Sequence, residues 1–362
     1  MNSNNPLSKP AEDIRLSPRQ VAVALAAGSL GGTLFAFLGA PLAWMLGAMA
    51  ATTCLALFGA KTEIYPSTVS IMVAVLGVLM GSAFTPDIVK QAANWVPSVI
   101  LMIIVMTAFA AAGYIIFRRL GRYDPVTAYF SAVPGGFTEM TLMGTDLGGD
   151  AKTIALAHAT RILIVVSVIP FYFRGILGLE IPTLPSNLLS IAFFPVADAI
   201  ILSGCAVVGL YSARWMKLPA PAFLGPMALS ALAHATGLTT NAPPLELIAI
   251  AQIIVGASIG SRFAGQTWKN ARKTILLATL TTGLMIVAAS LVGLGMADIL
   301  KRPMEALVLA LSPGGLTEMA LIALTLGVNT AYVSTLHILR ILFVLMAAPL
   351  VGAKISPEKP PR

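Results

Sequence analysis

Charge is scarce in this sequence: 23 Lys and Arg with 15 Asp and Glu amount to 10% of 362 residues, whereas 57% are hydrophobic and mean hydropathy is +0.87. That balance excludes an ordinary soluble protein. Cysteine is limited to Cys54 and Cys205, both inside apolar runs, which argues against a disulfide framework or a cysteine-built metal site. Histidine occurs three times, at His158, His234 and His337, too few for a cluster of metal ligands. No metal, cofactor or catalytic residue is expected, and the chain does not read as an enzyme. Also missing is any Lys/Arg-rich run with interleaved aromatics, so nucleic acid is not an expected partner despite a net charge of +8. The basic residues read instead as loops on the cytoplasmic side of a membrane.

What is present is a succession of long apolar runs, too continuous for the short alternating segments of a β-barrel. They suit an all-α polytopic membrane protein whose main partner is the lipid bilayer. The first half carries apolar segments at about 20–38, 41–58, 67–84, 96–117, 125–146 and 152–173. The second carries them at about 197–214, 219–238, 244–263, 274–296, 303–326 and 331–351. These predict an N-terminal cytoplasmic tail over 1–19, a membrane repeat over 20–173 and a connector over 174–196. A second repeat over 197–352 and a C-terminal tail over 353–362 follow.

One stretch occurs twice. Pro134-Gly135-Gly136-Phe137-Thr138-Glu139-Met140, followed by His158 and Arg161, returns 179 residues later. The second copy is Pro313-Gly314-Gly315-Leu316-Thr317-Glu318-Met319, followed by His337 and Arg340. Over the ungapped window of 37 positions there are 15 identities, where chance would give about three or four. Gly77, Gly81, Ser82 and Phe84 match Gly256, Gly260, Ser261 and Phe263 at the same offset, and Leu46-Gly47 matches Leu224-Gly225 at 178.

Pro134 and Pro313 remove a backbone donor just ahead of two flexible residues, so the fifth segment of each half cannot run as one helix. It either crosses as a broken helix or turns back as a re-entrant pair. If it turns back, 17 basic residues fall on the cytoplasmic side and four on the other, a stronger bias than the 13 to 8 of full crossings. Re-entry leaves five crossings per half, so the repeats would insert in opposite orientations, the inverted-repeat plan of many secondary carriers.

Glu139 and Glu318 fall in the first turn of the half-helix after each break, beside Thr138 and Thr317. Gly135, Gly136, Gly314 and Gly315 could present bare N–H groups to an anion there. Arg161 and Arg340 lie inside the sixth segment of each half, where an unpaired guanidinium costs about 2.5–3.5 kcal/mol even on a lenient insertion scale. Each needs a partner: the Glu of its own repeat, the Glu of the other, or a substrate anion. His158 and His337 precede the Arg residues by three positions and share their helix face. The small residues Gly28, Gly31, Gly32, Gly77, Gly81, Gly256 and Gly260 suit close helix approach. Asp198 and His234 have no duplicated counterparts and receive no role.

The doubled Pro-Gly-Gly-(Phe/Leu)-Thr-Glu-Met element with a His-x-x-Arg-Ile-Leu helix after it resembles the AbrB family of bacterial integral membrane proteins, over about residues 20 to 352. Members carry two inherited labels, ammonia monooxygenase and regulator of gene expression. The resemblance implies a multi-pass protein of the bacterial inner membrane. With both termini cytoplasmic, the site points to a carrier of a small, anionic solute, with proton coupling through His158 or His337 open and a homodimer allowed. A membrane sensor that acts through a partner is the alternative reading, and a monooxygenase a more distant one.

Overall fold

A computed structural model of the chain describes residues 17–84, 92–175, 177–179, 189–265 and 268–356. Among these residues there are 14 α-helices and no strand, and the protein is an all-α multi-pass membrane protein. In the first half, α1 is Pro18–Phe37, α2 Ala43–Leu57, α3 Pro66–Gly81, α4 Val96–Arg119, α5 Pro125–Ala132, α6 Phe137–Asp146 and α7 Ala151–Gly175. In the second, α8 is Val196–Trp215, α9 Pro221–Ala235, α10 Leu245–Ser261, α11 Trp268–Leu300, α12 Met304–Leu311, α13 Leu316–Thr325 and α14 Thr330–Ile355. Each of α1 to α7 thus has its counterpart in α8 to α14. The segments expected at 125–146 and 303–326 are each split in two at the Pro-Gly-Gly.

The turns repeat as well as the helices. Leu42 and Ala220 both adopt a left-handed backbone, φ 47° and 45°, at the residue before α2 and α9. Arg122 and Lys301 do so at 54° and 51°, and Gly148 and Gly327 at 90° and 65°. For an L-residue with a side chain this conformation costs about 1–2 kcal/mol. Its recurrence at duplicated positions marks one turn geometry used twice. Proline opens α1, α3, α5 and α9 in the first turn, where its missing N–H would be unpaired in any case.

Among the described residues, six helices are long and apolar enough to cross a membrane: α1, α4 and α7, with their counterparts α8, α11 and α14. The segments expected near 41–58, 67–84, 219–238 and 244–263 form helices of 15, 16, 15 and 17 residues. At 1.5 Å per residue each is about 22–26 Å long, short of a hydrocarbon core of about 30 Å. The causes are local: Leu42 and Ala220 in the left-handed region make α2 and α9 begin late, while α3 and α10 stop at Gly81 and Ser261, short of the expected ends.

The halves interlock through glycine. A Cβ on Gly256 or Gly260 of α10 would collide with the carbonyl oxygens of Met45 and Met49 on α2; a Cβ on Gly77 or Gly81 of α3 would do the same to Phe223 and Met227 on α9. Within each half, Gly47 of α2 meets Gly31 of α1, and Gly225 of α9 meets Gly209 of α8, backbone against backbone. Small residues let helices approach this closely, and in lipid such van der Waals contact replaces the hydrophobic drive of water. So α1, α2 and α10 form one packed group and α8, α9 and α3 its counterpart. Beside them α4 to α7 and α11 to α14 form the second group, which carries both breaks. The part of the connector that is described closes onto α10: Ser190 Oγ donates to Glu246 Oε1 at 2.5 Å and the Ile191 N–H to Oε2 at 2.8 Å.

Candidate functional site

Each break leaves a helix end and a helix start inside the protein, and both need partners. At the end of α5, the carbonyls of Ser131, Ala132 and Val133 are exposed by the break. Arg161 on α7 answers all three: Nη2 donates to Ser131 at 2.7 Å and Ala132 at 2.9 Å, and Nη1 to Val133 at 2.9 Å. His158 Nε2 donates to the Phe130 carbonyl at 2.8 Å. The second half repeats this. Arg340 Nη1 donates to Ser312 at 2.8 Å and Nη2 to Gly314 at 2.6 Å, while His337 Nε2 donates to Leu309 at 3.0 Å. All four side chains are buried, with no more than 3% exposure.

The partner that each arginine needs is therefore a helix C-terminus, where the unpaired carbonyls carry partial negative charge. Glu139 and Glu318 were the expected partners, yet neither guanidinium bonds a carboxylate. The carboxylates lie elsewhere. Gly136 and Gly315 cap α6 and α13 in extended conformation, and a Cβ on either would collide with the Oε2 atom of Glu139 or Glu318, three residues on. Each carboxylate is folded back over its own helix start, where the partial charge is positive. The preceding glycines have a packing role. A Cβ on Gly135 would sit 2.7 Å from Met140 and one on Gly314 2.8 Å from Met319, the buried methionines that anchor each tip. The Gly135 N–H is engaged as well, donating to Val133 O at 2.9 Å. Thr138 is exposed and Thr317 half-buried.

The first break touches the helix of the second set, since a Cβ on Gly135 would sit 2.9 Å from Val344 of α14. Arg161 and Arg340 lie within electrostatic reach of each other, and Arg340 acts on Glu318. The same cluster holds a residue that the sequence reading left in a basic loop. Arg262, just past α10, places its guanidinium 4.0 Å from the centroid of the Phe137 ring, and its charge reaches both Glu318 and His158. A sign of it was available: position 262 directly follows the duplicated Gly256, Gly260 and Ser261, and the equivalent position in the first half is Ala83.

The halves part company in the helix after each break. In α13, sequence LTEMALIALT, eight of ten residues are buried, Glu318 among them; in α6, sequence FTEMTLMGTD, Met140 and Gly144 are. The open side of α6 carries Thr138, Thr145 and Asp146, with Leu142 at 60% exposure. Polar groups of that kind are costly in hydrocarbon and suit a water-filled vestibule. One break is thus closed over by α3, against which α13 packs, and its twin is open.

A family profile described as "Transition state regulatory protein AbrB" matches residues 44–355. The chain is 22% identical to a protein named "Uncharacterized protein YhjN" of Bacillus subtilis (strain 168), over 90% of each chain. It is 25% identical to "Putative regulator AbrB" of Escherichia coli (strain K12), over 89% of this chain and 92% of that one.

Proposed function

The chain belongs to the AbrB family, and from that premise we propose that it is a secondary carrier of a small solute, with its binding site between the two Pro-Gly-Gly tips. The observation that carries this reading is the pair of broken segments, each with a buried Arg at one helix end and a Glu at the other. Such helix ends are what a bilayer-embedded site uses to bind ions and polar solutes. The opposite exposure of α6 and α13 supports alternating access: two equivalent tips in unlike surroundings describe one end state of a cycle that their duplication allows to run the other way. The inverted orientation of the halves, the bacterial inner membrane as location and cytoplasmic termini complete the proposal, on the distribution of basic residues.

The carrier reading is favoured over a metal oxygenase because Arg161 and Arg340 stand one helical turn from His158 and His337, where their charge opposes a bound cation, and no group of three or more His, Cys, Asp or Glu is placed to hold a metal ion among the described residues. His337 Nδ1 is buried without a partner, and a ring nitrogen left free in this way is the group on which proton coupling would rest. The regulator reading rests on the printed descriptions of the family and of the Escherichia coli relative; on it, the same site binds a signal and the chain acts through a partner protein.

Uptake into proteoliposomes separates these readings. Purified protein reconstituted with an imposed pH gradient, and offered labelled small anions, amines and neutral solutes, accumulates one of them if it is a carrier. Accumulation falls at least tenfold in Glu318→Gln and Glu139→Gln. Binding of a solute without accumulation of any would favour the regulator.

A further inference from the structure

Duplication supplies the charges of the site in pairs, with one exception. Glu139 and Glu318 correspond, as do Arg161 and Arg340, but Arg262 has Ala83 as its counterpart. The aromatic ring under it is unpaired in the same sense, since Phe137 corresponds to Leu316. Cation and ring are therefore confined to the open tip, at the first residue of α6.

The paired charges are already compensated. Arg161 and Arg340 neutralise the carbonyl ends of α5 and α12, and Glu139 and Glu318 lie over the positive starts of α6 and α13. Arg262 reaches Glu318 electrostatically, but that carboxylate already lies over the start of α13 and is shared with Arg340. Arg262 makes no hydrogen bond or ion pair among the described residues, and its Nη1 is buried without a partner. With three arginines against two glutamates, the site holds one surplus positive charge in surroundings where an unpaired ion is costly. The residue before it in sequence also differs from its duplicated counterpart. Ser261, next to Arg262, is buried with its hydroxyl unpartnered, whereas its counterpart Ser82 donates to Leu79 O at 2.7 Å.

We propose that Arg262, with the Phe137 ring beneath it, is the anion-recognising group of this protein, and that its ligand is a small monocarboxylate. One surplus charge calls for a monoanion. A guanidinium stacked on a ring keeps its edge N–H groups free, and these match the two oxygens of a carboxylate in a way no point charge does. That the bound carboxylate is also transported rests on the carrier reading; that it binds does not.

The test uses the full chain in detergent, titrated calorimetrically and by thermal shift with sodium acetate, sodium benzoate, sodium phosphate, sodium chloride and ammonium chloride at matched ionic strength. Acetate or benzoate is expected to bind and raise the melting temperature above that in chloride. Arg262→Gln loses at least tenfold in affinity with its unliganded melting temperature kept, Arg262→Lys loses several-fold, and Arg272→Gln, an exposed residue of the same basic stretch, binds as the wild type. The proposal is overturned if neither carboxylate binds the wild type, if phosphate or ammonium binds better, or if Arg262→Gln binds unchanged. Should Arg262→Gln fail to fold, Arg262→Lys decides, unchanged affinity refuting the fork. Carboxylate binding that depends on Arg262 without uptake in proteoliposomes refutes the carrier alone. Uptake of a cation or neutral solute with no carboxylate binding refutes this inference alone.

Discussion

Arg340 Nη2 donates to the carbonyl of Gly314 at 2.6 Å, so the second helix after each break is the element that holds it open. Removing the guanidinium leaves two buried carbonyls without donors, at a cost of about 1–3 kcal/mol each in a protein interior and toward the lower end in a membrane. Arg340→Gln and Arg161→Gln should each lose about 1–3 kcal/mol against unfolding in detergent, with the Lys variants between. A Gln variant as stable as the wild type would show that these bonds do not hold the break.

Glycine at the helix crossings makes a sharper contrast. Gly47→Leu and Gly225→Leu put a side chain where a carbonyl of the neighbouring helix already is; each should lose more than about 2 kcal/mol or fail to purify as a single species. Gly204→Leu is the control, since its Cβ meets nothing within 4 Å, and it should change stability by no more than about 0.5 kcal/mol. Equal effects at Gly204 and Gly225 would contradict the described packing of α8 on α9.

Two surface turns can be improved. Arg122 and Lys301 are exposed and held at φ 54° and 51°, where glycine is at ease. Arg122→Gly and Lys301→Gly should each raise stability by up to about 1 kcal/mol. Thermal melts that fall in both variants would mean that the side chains contribute more than the backbone strain costs.

The orientation of the halves is open to chemical labelling. With Cys54 and Cys205 replaced, a single cysteine at position 148 or 327 lies in an open turn, at about 1–2 kcal/mol of backbone cost. Opposite orientation places the first on the cytoplasmic side and the second outside. Impermeant maleimide that reaches both from one side would refute inversion.

Much of this architecture was legible in the sequence because it rests on backbone chemistry. The Pro-Gly-Gly runs at 134–136 and 313–315 mark a helix break, whereas the lone Pro170 and Pro349 sit inside helices, and the twelve apolar segments could be paired by offset alone. The acceptors of Arg161 and Arg340 were not legible, because main-chain carbonyls leave no mark on residue type; the visible carboxylates drew the expectation instead. Arg262 was hidden for a different reason. It stands at the head of a stretch that also holds Lys269, Arg272 and Lys273, and basic stretches usually face water. What brings it inward is the crossing of α10 with α2, a contact between halves that glycine spacing suggests without naming the partner.

The self-compensation of each broken segment bears on membrane voltage. Moving one elementary charge through the full potential involves about 2.3 kcal/mol per 100 mV. A unit made of α5, α6 and α7 carries Glu139 and Arg161 together, and α12 to α14 carry Glu318 and Arg340. On the carrier reading, either unit would shift in the electric field with its Glu and Arg charges opposed, so the field would do little work on it. Arg262 stands outside both units, and whether it is neutralised by an anion then decides how much charge the field can act on at the site.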